Sequence, residues 1–217
     1  GVPESFARAY GVMMTEPQGP VYMCYDAWLQ EQPLDHEVPL PPPSAMPVPS
    51  PLAPDPAALA RAADLLVKAK RPVIMAEYLG RDPRGFYALV ELAETLGAPV
   101  FDVNSRLNFP GCHPLNLSMV KDVFRDADLI LCLDVRDWER ATTELDSQKR
   151  TLKSIEPPDC VWIDIGFGDL ELSSWAMDYQ RLKHAQLRIL ADTTLAIPAL
   201  TALLAAWMIP SDNLRVA

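Results

Sequence analysis

Four residues carry the chemistry most open to test: Glu77, Gly80, Arg136 and Asp164. Each lies at or just past the end of a short apolar run that reads as a strand. After PVIMA (residues 72–76) comes Glu77-Tyr78-Leu79-Gly80-Arg81, where a nucleotide-binding fold needs glycines so that backbone amides can approach a pyrophosphate. Only Gly80 is present, and no GxGxxG occurs. After DLILCL (128–133) comes a mixed-charge run, residues 134–140, in which Arg136 has the fork geometry for a phosphate or carboxylate. The same run also reads as a solvated loop with weak internal pairs. Asp164, inside VWIDI (161–165), either accepts from a ribose hydroxyl or caps the turn at residues 166–168, the commoner use of an acid there. Glu77, Gly80, Arg136 and Asp164 together make a candidate nucleotide edge.

Other reactive side chains are scattered. Cys112 and His113 are adjacent, but neighbours in sequence seldom point at each other, and no carboxylate is specified to orient the imidazole. His36 and His184 are isolated, so no metal-ligand spacing appears. Cys24, Cys112, Cys132 and Cys160 form no CxxC pair and read as buried, reduced thiols of a cytoplasmic protein. No nucleophile, base and oxyanion donor assemble recognisably, and the chemistry alone describes a non-catalytic domain.

The elements that must position these residues alternate. Asp55 and Pro56 open a helix that runs to Lys70, with Leu59, Ala62, Ala63, Leu66 and Val67 on one side. PVIMA follows as a strand buried on both faces. A helix over residues 84–96 ends at Gly97, and a strand begins at Pro99. The pattern then predicts a helix over residues 119–125, strands at DLILCL, VWIDI and LRIL (187–190), and a helix from Thr193 to Trp207 capped by Asp192. Five strands alternating with helices predict an α/β fold with a doubly wound, mainly parallel, Rossmann-like sheet carrying helices on both faces. Such sheets bind ligands at the carboxyl ends of their strands.

Upstream the organisation changes. Nine prolines between Pro39 and Pro56 read as an extended linker. Before it stand about one helix of sequence and a short apolar strand at residues 21–24, too little to bury a core. The expected division is a remnant of another domain at 1–38, a linker at 39–56 and an intact α/β domain at 57–217. Of 217 residues, 49% are hydrophobic and 22% charged, which suits one folded domain with an appendage. A net charge of -10 repels a polyanion, and nucleic acid is excluded as a partner. No targeting segment is apparent, and no apolar run reaches the length a bilayer needs.

An ordered set of short motifs resembles the central domain of the thiamine-diphosphate-dependent enzymes, the acetolactate synthase, benzoylformate decarboxylase and pyruvate oxidase superfamily. The motifs are GPVYMCYD (19–26), similar to the last strand of the family's pyrimidine-binding domain, then the proline linker, KRPVI (70–74), NFPGCHPL (108–115), DADLILCLDVR (126–136), and VWIDI ahead of the Ala191-Asp192 helix. Arg136 matches the arginine of the family's GxR segment.

The resemblance implies an internal piece of a three-domain enzyme. The glutamate that activates the cofactor is then expected upstream of Gly1 and the GDG motif for magnesium and diphosphate beyond Ala217. The fragment by itself would hold neither thiamine diphosphate nor Mg2+ and would not turn over. Its partners would be the missing pyrimidine- and diphosphate-binding domains, in a homo-oligomeric parent. The resemblance also argues against FAD: Tyr78 and Leu79 crowd the place of a pyrophosphate, and Asn116-Leu117-Ser118-Met119 replaces the glycine-containing loop of flavin-binding members. Two other readings stand beside this one. One is a free-standing nucleotide or acyl-CoA-binding module using Glu77 and Arg136; the other is an interaction protein docking through the proline run with Trp28 and Leu29.

Overall fold

A computed structural model describes residues 1–105, 107–171, 179 and 183–208. The chain divides into two compact units, Gly1–Pro51 and Leu52–Ala217. The proline run is therefore shared, residues 39–51 falling in the first unit and 52–56 in the second.

In the first unit, helix α1 (Val2–Met13) buries only Gly11, and helix α2 (Ala27–Glu31) buries nothing. The Asp26 carboxylate caps α2 by accepting from the Trp28 amide, and Phe6 stacks on Tyr25 at 5.8 Å. The strand expected at residues 21–24 does not form, and Tyr22 is 90% exposed. A lone extended segment has no neighbour to complete its ladder, so its apolar pattern alone cannot make it a strand. Pro42 has the polyproline geometry (φ -66°, ψ 147°), but Pro43–Ala45 tightens into a 3-10 turn.

The second unit holds helix α3 (Pro56–Lys68), strand β1 (Pro72–Ala76), helix α4 (Pro83–Leu96), strands β2 (Val100–Asp102) and β3 (Leu129–Leu133), and the single-turn helix α5 (Trp138–Ala141). Strands β4 (Thr143–Asp146), β5 (Thr151–Ser154), β6 (Val161–Ile165) and β7 (Leu187–Ile189) and helix α6 (Thr193–Trp207) follow. The sheet runs β2-β1-β3-β6-β7 with every pair parallel, and β4 and β5 make a separate antiparallel hairpin. Every residue of β1 and β3 is buried, which explains why these strands read as unbroken apolar runs.

Alternate strand residues build a core on each face. Ile74, Leu131, Ile163 and their neighbours pack under α3, α4 and α6. Val73, Ile130, Trp162 and their neighbours pack under shorter pieces: the 3-10 turn Lys121–Phe124, α5 and the segment around Ile155. The three long helices thus share one face. The helix expected at residues 119–125 is only this turn: Met119 and Val120 stay exposed, so no apolar face packs down to hold a longer helix, and buried Phe124 anchors it. Cys132 and Cys160 are buried as expected; Cys24 and Cys112 are exposed, because they lie in irregular segments outside the sheet.

Helix ends follow local rules. Asp55 accepts from the Ala58 amide, Asp82 from that of Arg84 and Asp192 from that of Thr194. Gly97 closes α4 at φ 58°. The chain leaves β1 for β2 on one side and returns to β3 on the other, so the sheet's switch point lies between the carboxyl ends of β1 and β3.

Candidate functional site

At the switch point Glu77 follows β1 and Asp134 follows β3, both buried. The two loops are tied by backbone bonds, from the Glu77 amide to the Leu133 carbonyl (3.3 Å) and from the Tyr78 amide to that of Asp134 (3.4 Å). Glu77 Oε2 accepts from the Arg136 backbone amide at 2.9 Å. Its Oε1 accepts from the Arg136 guanidinium at 3.4 Å and from Asn104 Nδ2 at 3.2 Å. The guanidinium also lies 4.2 Å from the centre of the Tyr78 ring, a cation–π stack over the buried carboxylate. Glu77 and Arg136 therefore meet, and what they hold is each other.

Gly80 belongs to the same edge. Its amide donates to Asn108 Oδ1 at 2.8 Å, and buried Asn108 is held by Asp102 through its own amide (2.9 Å) and side chain (2.5 Å). An amide that a phosphate-binding loop would offer to its ligand is taken by a side chain 28 residues away.

Asp134 is the hub of the edge. Oδ1 accepts from the Phe167 amide at 2.9 Å, while Oδ2 accepts from Arg81 Nη1 at 2.5 Å and from Thr193 Oγ1 at 2.6 Å. One carboxylate thus joins the loops after β1 and β6 to the start of α6. The turn at residues 166–168 is accordingly served by Asp134, where sequence suggested Asp164. Asp164 points to the other face of the sheet and sits beside Arg188 of β7, 3.4 Å from its Nε. The structure brings Glu77, Gly80 and Arg136 to one edge and engages Asp164 elsewhere. Asp102, Asn104, Asn108, Asp134 and Thr193 complete the edge; the sequence marks Asn108 only as the head of NFPGCHPL, Thr193 only as a helix start and Asp134 only as the residue after DLILCL, and it marks Asp102 and Asn104 not at all.

The chemistry of this edge is cohesive. Its carboxylates accept from the chain's own amides, guanidinia and hydroxyl, so an incoming diphosphate would meet Glu77 and Asp134 where it needs donors. These carboxylates, with the chain's donors already bound to them, do not fit a diphosphate. Among the described residues no group of three His, Cys, Asp or Glu side chains is placed to hold a metal ion. No helix among them is long and apolar enough to cross a membrane.

Residues 59–170, from α3 through the turn after β6, match the model of the central domain of thiamine pyrophosphate enzymes. A solved structure described as a thiamin diphosphate-dependent enzyme from Mycobacterium smegmatis is similar over 93% of this chain, with a TM-score of 0.65 and 23% identity. Benzoylformate decarboxylase from Polynucleobacter necessarius is similar over 93% of this chain, with a TM-score of 0.67 and 21% identity. At these identities the likeness is one of fold, and the chain spans 37% and 36% of those two proteins. No curated protein matches the chain. Since the match takes in four of the five sheet strands and more than half of the residues, the chain belongs to the thiamine pyrophosphate enzyme family and carries its central domain.

Proposed function

We propose that this chain is the bridging domain of a thiamine-diphosphate-dependent carboligase or decarboxylase acting on 2-keto acids. In this reading residues 1–38 end a pyrimidine-binding domain, and the cofactor and its Mg2+ are held by other domains of the same cytoplasmic, homo-oligomeric protein. The central domain contributes rigidity and no reacting group. The observation that carries the reading is the self-bonded carboxyl edge: Glu77, Asp102 and Asp134 take donors that a nucleotide would need. A free-standing nucleotide or acyl-CoA module would require that edge to be open.

Thermal-shift titration tests the reading, because only ligands that prefer the native state raise its melting temperature. The expected result is no saturable shift with FAD, ADP, coenzyme A or thiamine diphosphate plus Mg2+. A saturable shift with FAD, ADP or coenzyme A would replace the bridging role with a binding role. A thiamine diphosphate shift would place cofactor-holding groups within this chain. Decarboxylation of 2-keto acids by a longer protein of which this chain is part, lost when the central domain is deleted, is the positive counterpart.

A further inference from the structure

Helix α6 turns its hydroxyls inward and its apolar side to the surface. Thr193, Thr194 and Thr201 are buried, and no charged residue occurs between Thr193 and Trp207. The outward side exposes Leu195, Pro198, Ala199, Ala202, Ala206 and Trp207. A helix that is apolar all round belongs in an interior, and an exposed apolar strip marks a contact surface. The neighbouring helices differ: α3 exposes Arg61 and Lys68, and α4 exposes Arg84, Glu91 and Glu94. Because α6 packs on both α3 and α4, its strip runs down the middle of the three-helix face with charged residues on either flank. An apolar centre with a polar rim is the anatomy of a protein interface.

The occupant that matches this face is a second copy of the same chain. The strip is uncharged in a chain of net charge -10, so two copies meet there without setting like charges against each other. Its side chains are small in the middle, with Leu195 in the first turn and Trp207 beside the strip in the last. Crossed helices touch at one point and diverge from it, so Ala199 and Ala202 suit the crossing while the two large residues fill the widening gaps. The flanks are also self-complementary. Arg61 on α3 and Glu91 on α4 are exposed, lie near the middle of their helices and have no ion-pair partner among the described residues. A two-fold axis along α6 exchanges the flanks and sets Arg61 of each copy opposite Glu91 of the other. Three helices about 20 Å long and about 10 Å apart present about 600 Å2 in projection, and more as accessible surface, near the roughly 800 Å2 per partner of a standard interface.

We infer that the face formed by α3, α6 and α4 joins two copies of this chain about a two-fold axis, with Ala199 and Ala202 at the crossing and Arg61 of each copy paired with Glu91 of the other. The interface is independent of the bridging role proposed above, since self-association and silence toward nucleotides are separate measurements.

Sedimentation equilibrium of the full chain at about 1–100 µM tests this. The expected result is a particle of twice the chain's 24.1 kDa at the upper concentrations. Ala202→Glu brings two like charges together at the crossing and should raise Kd by about a hundredfold or more, while circular dichroism shows the fold retained because the position is exposed. Arg61→Glu should raise Kd by about tenfold, and adding Glu91→Arg should restore it, a reversal that no general loss of folding imitates. Should Ala202→Glu fail to fold, the charge-reversal pair decides alone. A monomer at about 100 µM would overturn the inference. A dimer indifferent to Ala202→Glu would do the same, by showing that another surface, such as the exposed Tyr22 and Trp28 of the first unit, holds the copies together. So would a double charge reversal that restores nothing.

Discussion

The carboxylate of Asp134 occupies the volume that a side chain on Gly166 would need: a Cβ on that glycine would stand 2.2 Å from Asp134 Oδ1 and 2.9 Å from the Asp134 backbone nitrogen. Gly166 also sits at φ 133°, which L side chains rarely adopt. This close approach lets the Phe167 amide reach Asp134 and brings Gly168 onto the Val135 backbone, 2.4 Å from its carbonyl oxygen by the same measure.

Gly166→Ala should therefore cost about 3 kcal/mol or more, since backbone strain and a clash with main-chain atoms act together. Urea unfolding of the two proteins measures it. A loss below about 1 kcal/mol would mean that the loop after β6 shifts freely.

Asp134 itself should be the most sensitive polar residue of the edge. Asp134→Asn removes the charge that Arg81 pairs with and one of the acceptors serving Phe167 and Thr193. The expected loss is about 2–4 kcal/mol, reduced from the full cost of an abandoned buried charge because the Arg81 side chain is 26% exposed and can reach water. Denaturant midpoints check the size, and a smaller loss in an Arg81→Met background checks the cause.

Glu77→Gln keeps an oxygen for the Arg136 amide but removes the charge facing the guanidinium. A loss of about 1.5–3 kcal/mol is expected, the range for hydrogen bonds to charged groups. The thermal-shift panel should remain silent in this variant if the edge serves cohesion alone.

The two buried thiols set an alkaline limit to stability. Burial pushes Cys160 up to about 12 and Cys132 well above the ordinary thiol range, with nearby Glu156 and Asp164 respectively adding to the effect. Unfolded thiols ionise from about pH 8.5, so above that the unfolded chain sheds protons the folded chain retains. Their contribution is complete below that pH and is lost as pH rises toward the folded values. Stability should fall by up to about 1.4 kcal/mol per pH unit for each thiol, and Cys132→Ala with Cys160→Ala should flatten the slope. A thiol reagent at neutral pH should label exposed Cys24 and Cys112 first, and Cys132 and Cys160 only on unfolding.

How much was legible follows from the range of the forces involved. PVIMA, DLILCL and VWIDI were readable as strands because burial on both faces removes polar residues from a strand. Helices α3, α4 and α6 were readable because Asp55, Gly97 and Asp192 act within one turn of themselves. The hairpin of β4 and β5 escaped notice because TELD and TLKS are mostly exposed and show no apolar alternation. The apolar segment at residues 21–24 misled for the converse reason, since hydrophobicity without a neighbouring strand does not make a ladder.

The sequence by itself determined the class of fold, the bounds of its main elements and, through the order of its motifs, the family. Periodicity, caps and motif order are local properties that survive being read one residue at a time. Only the tertiary structure decided that Glu77 closes on Arg136 59 residues away and that Asp134 gathers Arg81, Phe167 and Thr193. These pairings depend on which strands become neighbours and which loops share an edge. No local pattern encodes a partner across such separations, because it is burial of the whole sheet that brings the groups within hydrogen-bonding distance.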